Sequence, residues 1–386
     1  MYQEFIKIKG GRMRVCIVSH LHKPGIKEGG GGVSTYTFAK AFRERGHEVI
    51  IVSEPEEIDK RSDVVWHQNI KNIERTVRIC KKFSLPLIAT VNSNVTCCTG
   101  AHITNESKYG IPCTSCSFIG AFKCLLFNKR NQNRSGSLKL QMRKLSFVAT
   151  PLYFGNMKMR IRALNECDAV VCCSPTLKEL LELSGVHNNI YVIPSPIEKI
   201  FLSYSGEKLF DERVALFCGS PSWIKGAHLA AEAVSKIDGL KLVFSRNIKG
   251  KIGEYIKRIL GDRIIICELP YKDMPKLYYS AYVTLFASIW FEPLGRVWAE
   301  SCLCGTPVVA FKDRGGASDY LKHEETALLS DYDVDEYAEQ IKRLFEDEAL
   351  YRKISRNARE YAKKNLLADV VAKKYEKVFE EVVNEQ

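Results

Sequence analysis

Two glutamates in the second half of the chain are suited by type and spacing to bind a ligand rich in hydroxyl groups. Glu292 stands just after an apolar run typical of a buried strand, and Glu300 follows eight residues later, about two helical turns further on. Carboxylate oxygens are strong hydrogen-bond acceptors, so the pair could hold separate hydroxyls of one sugar or ribose. The alternative is one solvated glutamate in a loop and one on a helix surface.

Lysine and glycine residues elsewhere in the chain indicate a phosphate ligand. Lys225 opens an alanine-rich helix shortly after Gly219, where an ammonium group suits a diphosphate; an ordinary surface lysine is the alternative. Four glycines occupy residues 29–32, in the loop after the first predicted strand. Gly30 and Gly31 would let backbone N–H groups approach an anion ahead of a helix predicted over 33–45, unless the run is only a flexible turn.

These positions all follow apolar runs that alternate with helical patterns along the chain. The predicted strands are 14–20, 48–53, 63–67, 86–91, 168–174, 190–194, 214–219, 240–245, 263–269, 283–288 and 307–311. Such alternation predicts parallel sheets with helices on both faces, and the length of 386 residues fits two domains. Ligands of open α/β sheets bind outside the carboxyl ends of the strands, where the residues above lie.

The segment from Phe291 to Gly295, followed by Glu300, resembles the Glu–seven residues–Glu signature of family 4 of the retaining glycosyltransferases, within glycosyl transferases group 1. Further matching segments are 29–32, 45–49, 173–175, 192–194, 225–226, 305–310 and 314–319. The resemblance runs along almost the whole chain. It implies the GT-B architecture, an α/β fold of two Rossmann-like doubly wound domains facing across a cleft.

The resemblance also implies a domain organisation. Residues 1–196 would form an N-terminal, acceptor-side domain that carries a basic, cysteine-rich insertion at about 93–162. Residues 197–365 would form the domain that binds the nucleotide sugar. Residues 366–386 would form a final helix that crosses back to the first domain.

Roles for individual residues follow from the same resemblance. Lys225 would neutralise the leaving diphosphate, and Glu300 would bind the ribose hydroxyls. Glu292 would contact the donor sugar, helped by backbone N–H groups near Leu294 and Gly295. The remaining donor-binding positions implied are Gly30 and Gly31 near the phosphates, Gly219 beside the diphosphate, and Leu269 and Pro270 beside the base.

The chain departs from the family pattern at two positions. Ser220 stands where the family usually has an arginine next to the diphosphate, and Arg246 or a residue of the basic segment could replace it. Asn92 stands where the family often has a histidine close to the reacting sugar. An amide can still bond a sugar hydroxyl, but it cannot titrate. His67, after the preceding strand, either takes over that role or is structural.

The reaction implied is the transfer of a sugar, with retention of anomeric configuration, from a UDP- or GDP-sugar to a glycan or lipid-linked acceptor. No metal or other cofactor would be required, because basic residues and helix N-termini would stabilise the leaving group. Two alternatives remain open: a nucleotide-sugar epimerase of the same architecture, and a non-catalytic protein that binds a nucleotide sugar or a glycan. The second alternative follows from Ser220 and Asn92.

Five cysteines within one polar segment form a separate pattern. They are Cys97, Cys98, Cys113, Cys116 and Cys124. This set is the inventory of a structural zinc site or an iron–sulfur cluster, with one thiol of the Cys97/Cys98 pair as the fourth ligand; a reduced, unligated loop is the alternative. Some family members carry a similar set.

The net charge of +12 is concentrated, since residues 107–165 contain no Asp or Glu. Such a field attracts anionic partners. Leu138, Met142, Leu145 and Ala149 could form the apolar face of a helix on an anionic membrane, or this helix could pack on the first domain with a solvated basic face. Nucleic acid is not expected, because no binding module is recognisable. With no apolar run of about 20 residues and no leader pattern, we expect a cytoplasmic protein, including at the inner face of the membrane.

Overall fold

Twelve strands form two separate parallel sheets in the computed structural model, which describes residues 11–20, 30–93, 113–127 and 146–385. The strands are β1 (Arg14–Val18), β2 (Glu48–Val52), β3 (Val64–Gln68), β4 (Leu87–Val91), β5 (Ala169–Cys172), β6 (Ile190–Val192), β7 (Ala215–Phe217), β8 (Leu242–Phe244), β9 (Ile264–Ile266), β10 (Val283–Phe286), β11 (Val308–Phe311) and β12 (Leu328–Ser330). Each sheet has six strands.

Helices of different lengths connect these strands in the described part of the chain. They are α1 (Gly30–Glu44), α2 (Ile73–Phe83), α3 (Phe118–Phe127), α4 (Ser146–Asn165), α5 (Pro175–Leu183), α6 (Ala227–Ser235), α7 (Gly250–Leu260), α8 (Met274–Ser280), α9 (Arg296–Leu303), α10 (Ala317–Tyr320), α11 (Val334–Glu346), α12 (Glu348–Asn365) and α13 (Ala368–Asn384). The predicted α/β alternation is therefore confirmed.

Every predicted strand is present, because the strands of a parallel sheet are buried on both faces and read as continuous apolar runs. β3, β4 and β5 are buried along their whole length. The strand that the sequence did not predict is β12, a three-residue strand at the edge of its sheet. A run this short has no period that distinguishes it from a loop.

The helix predicted from residue 33 begins three residues earlier, at Gly30. Glycine is unfavourable inside a helix by about 1 kcal/mol relative to alanine. Here the helix is stabilised by its packing, since Phe38 and Phe42 on α1 are buried in the core. Gly30 and Gly31 thus belong to the first turn of α1 and not to a loop before it, while Gly29 lies outside the described residues.

The described residues divide into two compact units. Those within Met1–Thr96, Phe154–Pro196 and Ala368–Gln386 form the first, and those within Cys97–Tyr153 and Ile197–Leu367 form the second. The described part of the insertion up to Tyr153, including α3, thus groups with the second unit, although the sequence analysis placed it in the first domain. The first unit holds the sheet β2-β1-β3-β4-β5-β6, and the second holds β12-β11-β10-β7-β8-β9.

The last helix, α13, completes the core of the first unit. Its Tyr375 ring lies 4.8 Å from the Trp66 ring of β3, and its Phe379 ring lies 5.3 Å from the Phe42 ring of α1. Next to these rings, Glu376 of α13 accepts a hydrogen bond from Arg45 (2.6 Å). The first unit is therefore built from segments far apart in the sequence.

The second sheet has the strand order of a Rossmann fold. The chain passes from β7 through β8 to β9 on one side, then returns to β10 beside β7 and continues to β11 and β12 on the other. The loops after β7 and β10 therefore leave neighbouring strand ends toward opposite faces of the sheet. A crevice forms at such a switch point, and it is where open α/β sheets bind ligands.

Candidate active site

Lys225 and Glu292 meet at the switch point of the second sheet. Lys225 follows β7 and Glu292 follows β10, and the Lys225 ammonium forms a salt bridge with Oε2 of Glu292. The Glu292 side chain is 9 % exposed, whereas about a third of the Lys225 side chain is exposed. The pair is thus anchored on the carboxylate side and open to a ligand on the ammonium side.

One oxygen of Glu292 receives all of the hydrogen bonds that described residues donate to this carboxylate. Besides Lys225, Oε2 accepts from Ser288 Oγ (3.1 Å) and from Trp290 Nε1 (2.8 Å). The lysine ammonium also lies 5.0 Å from the centre of the Trp290 ring, a cation–π distance. Oε1 accepts no hydrogen bond from a described residue and can therefore accept one from a ligand.

Gly226 explains how the lysine comes so close to the end of β10. Its φ is +70°, and a Cβ atom there would lie 1.7 Å from the carbonyl oxygen of Ala287. Only glycine fits a backbone approach of this kind. The Lys225-Gly226 pair thus has a geometric reason, since the glycine lets the lysine loop pack against the strand end that leads to Glu292.

The backbone of Glu292 is fixed by the loop after β11. Its N–H donates to the carbonyl oxygen of Arg314 (2.9 Å), and a Cβ atom on Gly315 would lie 2.7 Å from the carbonyl oxygen of Glu292. In the next turn, Leu294 is buried, and Gly295 precedes the first turn of α9. The backbone N–H groups at the start of this helix have no partner within it and can donate to a ligand.

Glu300 lies on α9 with both carboxylate oxygens bonded. Tyr278 donates to Oε2 (2.9 Å), while Tyr271 (3.3 Å) and Arg296 (3.2 Å) donate to Oε1. The residue is 5 % exposed. Burial raises the pKa of this carboxyl group, and the nearby charge of Arg296 counteracts part of that rise. The sequence analysis did not predict these three partners; only the four-residue spacing from Arg296 to Glu300 on one helix face could have indicated one of them.

The other predicted donor-side residues surround the same strand ends. Gly219 has a φ of +102°, and its N–H donates to Ser245 Oγ (2.8 Å), next to the exposed Arg246. Ser220 is also exposed. Arg246 thus follows the residue that binds the Gly219 turn, and its role as a replacement for the missing arginine stays a prediction.

Leu269 and Pro270, the residues predicted to flank the base, lie after β9 in the second unit. Leu269 is half-buried and Pro270 is exposed. Pro270 directly precedes a short 3₁₀ turn that contains Tyr271, the partner of Glu300. Leu269 and Pro270 are therefore linked to the Glu300 cluster through this turn.

Asn92 directly follows β4, whereas His67 lies within the neighbouring strand β3, and the two residues differ in character. Asn92 is half-buried, and its Oδ1 is buried without a hydrogen-bond partner among the described residues. His67 is 1 % exposed; its Nε2 donates to the carbonyl oxygen of Lys71 (3.0 Å), and its Nδ1 accepts from the Thr76 hydroxyl (2.8 Å). Burial lowers the pKa of His67 to about 4, so the ring is neutral and structural.

The structure describes three of the five clustered cysteines: Cys113 is buried, and Cys116 and Cys124 are half-buried. Cys97 and Cys98 lie outside the described residues. Among the residues that are described, no three His, Cys, Asp or Glu side chains converge in a way that could hold a metal ion. The three described thiols therefore do not form a ligand set by themselves.

Residues 205–361, which include Lys225, Glu292 and Glu300, match the family model described as Glycosyl transferases group 1. The second unit contains a glycosyl transferases group 1 domain. The match explains why the signature and its supporting glycines occur together at the switch point of this sheet.

Solved structures confirm the fold around this group 1 domain. Sucrose-phosphate synthase from Thermosynechococcus elongatus is 17 % identical, with a TM-score of 0.68 over 98 % of this chain and 100 % of that one. The UDP complex of Alr3699/HepE from Anabaena is 15 % identical, with a TM-score of 0.68 over 96 % of this chain and 100 % of that one. The fold of two Rossmann-like units is thus the GT-B fold, as the sequence predicted.

Curated relatives resemble part of this chain. A putative glycosyltransferase, YtcC, of Bacillus subtilis (strain 168) is 31 % identical over 221 residues, which are 52 % of this chain and 54 % of the relative. Spore coat protein SA of the same organism is 26 % identical over 188 residues, which are 45 % of this chain and 50 % of that protein. The chain spans about half the length of these two relatives.

Proposed function

We propose that the protein transfers a sugar, with retention of anomeric configuration and without a catalytic metal, from a nucleotide-sugar donor to a glycan or lipid-linked acceptor. The observation that carries the proposal is the Lys225–Glu292 pair at the switch point of a group 1 domain. The donor would be a UDP- or GDP-sugar of the hexose type. The solved HepE complexes with UDP and with UDP-glucose favour testing UDP-sugars first.

Lys225 would stabilise the charge that develops when the bond between sugar and diphosphate breaks. In the ligand-free protein its ammonium is held by Glu292, with about a third of the side chain exposed. A bound diphosphate offers the ammonium a second anion, and the exposed Arg246 beside the Gly219 turn would add another cation. Cations already in place stabilise the leaving group without a metal.

The two glutamates would hold the two sugar rings of the donor. Glu292 would accept a bond from a hydroxyl of the transferred sugar through Oε1, while Ser288 and Trp290 keep Oε2 in place. Glu300 would bind the ribose. Because both of its oxygens are already bonded, a ribose hydroxyl would use a remaining lone pair or replace the longest bond, the one from Tyr271.

Retention would follow from attack of the acceptor hydroxyl on the same face from which the diphosphate leaves. The new bond joins the acceptor oxygen to the anomeric carbon, the bond to the diphosphate breaks, and the hydroxyl proton passes to the leaving diphosphate. Asn92 would hydrogen-bond a sugar hydroxyl, which is consistent with its buried Oδ1 lacking a partner among the described residues. This step would need no titrating side chain at position 92.

The test is a screen of nucleotide sugars for binding and hydrolysis by the wild type and the variants Glu292→Ala and Lys225→Ala. We expect one donor to bind and each substitution to lower its turnover about 100-fold, which is the effect of removing one preorganised charge-stabilising group. Lys251→Ala is the matched control, because Lys251 is an exposed lysine of α7 in the same unit. Its turnover should equal that of the wild type.

The outcomes of this screen separate the alternatives. An epimerised nucleotide sugar formed without any acceptor would replace the transferase proposal with an epimerase. A donor that binds but never turns over with any acceptor would identify a binding protein. If no donor binds, or if the Glu292 and Lys225 variants behave like the Lys251 control, the proposal fails.

We propose further that the cysteine segment holds a structural metal ion, with zinc favoured over an iron–sulfur cluster. Because the described thiols alone do not converge, the ion would need Cys97 or Cys98 together with Cys113, Cys116 and Cys124. Such a site would order the segment and take no part in the transfer. Elemental analysis should find about one zinc per chain in the wild type and less zinc in Cys113→Ser. Wild-type protein that contains neither zinc nor iron would contradict the proposal.

The charge distribution supports a location at the inner face of the cytoplasmic membrane. Helix α4 contains no acidic residue. Among its described side chains, Leu152 (64 %) and Met159 (49 %) are large, apolar and exposed, and the cations Lys158 and Arg162 are also exposed. The apolar face proposed from sequence lies mostly outside the described residues, and its described member, Ala149, is buried. No helix among the described residues is long and apolar enough to cross a bilayer.

Binding to vesicles tests the membrane proposal. The protein should bind vesicles with anionic lipids, and binding should weaken as salt rises from about 0.05 to 0.5 M, because screening shortens the reach of the basic field. Equal partitioning to neutral and anionic vesicles at all salt concentrations would count against it.

A further inference from the structure

A cavity of about 250 Å³ lies in the first unit, outside the donor site described above. It is lined by residues that follow three neighbouring strands and by one residue of α4. The lining residues are His20, Asn69, Ile70, Lys71, Ser93 and Arg160. Neither the sequence motifs nor the family match, which covers 205–361, assigns these residues a role.

The cavity occupies the switch point of the first sheet. From β1 the chain forms β2 on one side and then β3 on the other, so β1 and β3 are neighbours whose following loops diverge. His20 lies two residues beyond the end of β1, and Asn69 directly follows β3. Ser93 lies two residues beyond β4, the next strand. This is the position at which an open α/β sheet binds a ligand.

The residues that line the cavity carry a net positive charge. Lys71 and Arg160 are the cationic members, and the lining residues include no carboxylate. Within the described part of the chain, neither side chain forms an ion pair. Other cations of the same unit do form such pairs, as Arg75 does with Glu56 (2.6 Å) and Lys81 with Glu166 (2.8 Å). Lys71 and Arg160, which belong to different elements, thus both line the cavity without an ion-pair partner among the described residues.

A buried histidine fixes the turn that carries Lys71. Asn69 has a φ of +69°, which bends the chain sharply after β3. The neutral His67 ring then donates to the carbonyl oxygen of Lys71 (3.0 Å) and is itself held by the Thr76 hydroxyl (2.8 Å). The turn is thus set by interior hydrogen bonds, so the lysine backbone is in place before a ligand binds.

We propose that this cavity binds a phosphate group of the acceptor. The inference rests on the proposed transferase function and names the class of its acceptor. An arginine fork and a lysine ammonium together suit a phosphate, and Asn69 and Ser93 add neutral hydrogen-bonding groups. At about 30 Å³ of liquid volume per water, the cavity would hold about eight waters, enough for a phosphate and a sugar-sized group attached to it.

Two sources share this chemistry: a soluble sugar or polyol phosphate, and a phosphate at the head of a lipid. The exposed apolar side chains on α4, the helix that supplies Arg160, are compatible with the lipid source. Either source places the same phosphate between Lys71 and Arg160, so the experiment includes both.

Calorimetric titration of the full chain tests the proposal. The donor site is first saturated with UDP, and the probes are then inorganic phosphate, glycerol 3-phosphate and a short-chain polyprenyl phosphate. We expect Lys71→Ala and Arg160→Ala each to weaken binding of these probes about tenfold or more, the effect of losing one charge-assisted hydrogen bond. Arg160→Lys should recover part of the affinity, because it keeps the charge but not the fork.

Lys82→Ala is the matched control, since Lys82 is an exposed lysine of α2 in the same unit and lies outside the cavity. It should bind each probe like the wild type, and the affinity for UDP should be the same in all variants. Tighter binding of the lipid phosphate than of glycerol 3-phosphate would identify the lipid source, and the reverse would identify the soluble one.

The proposal is overturned if the wild type binds none of the probes, or if the Lys71 and Arg160 variants bind them like the Lys82 control. Its failure can be told apart from failure of the transferase function. UDP binding reports on the group 1 domain, and the difference between the Lys71 and Arg160 variants and the Lys82 control reports on the cavity, whether or not UDP fills the donor site.

Discussion

Glu292 presents its two carboxylate oxygens to different surroundings. Oε2 is bonded to Lys225, Ser288 and Trp290, while Oε1 accepts nothing from the described residues. A donor that draws Lys225 toward its diphosphate would leave Glu292 positioned by two neutral donors. The Glu292 carboxylate would therefore keep its orientation when Lys225 leaves it and binds the diphosphate of the donor.

Glu300 gives a prediction about pH at the same scale. Burial raises the pKa of its carboxyl group in the folded protein, so the native state favours the protonated form more than the unfolded state does. The stability from this group is complete below its unfolded pKa of about 4.3 and is lost as the pH rises through the higher folded pKa. Glu300→Gln cannot titrate and does not lose that contribution.

We therefore expect the free energy of unfolding of Glu300→Gln, relative to that of the wild type, to rise between pH 4 and pH 7. Urea unfolding at several pH values measures this difference, and Glu254→Gln on the exposed side of α7 is the control with a flat profile. A difference that falls as the pH rises would show that the charge of Arg296 outweighs burial.

At the scale of elements, the proposed donor site depends on loops whose backbones approach each other too closely for a side chain to fit between them. Gly226 lies against the end of β10, and Gly315 lies against the backbone of Glu292. Neither contact is visible in a hydrophobic pattern, because each depends on the distance between segments that are far apart in sequence. Backbone contact therefore fixes the position of the loop after β7 relative to the loop after β10.

Gly226→Ala should displace these two loops relative to each other. The new Cβ atom would overlap the carbonyl oxygen of Ala287, so the Lys225 loop must move, and we expect a destabilisation of about 3 kcal/mol together with loss of donor turnover. Gly239→Ala is a matched control, because Gly239 has a similar φ of +69° but open space around its Cβ position. Its cost should be about 1 kcal/mol, from backbone strain alone, with turnover unchanged.

Denaturant unfolding and donor turnover of both variants check this expectation. Equal destabilisation by the two substitutions would mean that strain, and not the contact with Ala287, determines the effect. Unchanged turnover in Gly226→Ala would show that turnover does not depend on the position of Lys225.

The strands could be predicted from the sequence more completely than the contacts of the candidate site. Continuous apolar runs predicted all strands except β12, whose three residues form no pattern. Local motifs indicated Lys225 and Glu292 as candidate site residues, and the structure joins the two by a salt bridge that neither motif implies. Local spacing could not predict Tyr278 as a partner of Glu300, nor that Lys71 and Arg160 line one cavity, since these residues belong to elements whose packing no local pattern encodes.

At the scale of the whole molecule, the first unit depends on α13 for its core. Phe379 is fully buried, and its ring lies 5.3 Å from that of Phe42. Phe379→Ala should lower the free energy of unfolding of this unit by about 3 to 5 kcal/mol, the usual cost of removing a buried aromatic ring. The nucleotide binding proposed for the second unit should be retained. This readout distinguishes damage to the first unit from unfolding of the whole chain.

The control for this substitution is Lys377→Ala, a change on the exposed face of the same helix. It should alter stability by less than about 0.5 kcal/mol. Trp66, which lies 6.0 Å from the Phe379 ring, is the tryptophan of the first unit, so unfolding is followed by fluorescence and compared with the same variants carrying Trp66→Phe. Simultaneous loss of UDP binding in Phe379→Ala would show that the two units unfold as one.

The position of α13 also has a consequence for how the chain is made. Domains commonly fold on the ribosome in order, the N-terminal one first, but here the rings that close the first core belong to residues translated after the entire second unit. While the second unit leaves the ribosome, the apolar surface of Phe42 and Trp66 is not yet covered by the rings of α13. The nascent chain should therefore attract chaperones that bind apolar surface until translation passes α13, even though its first strands were synthesised long before.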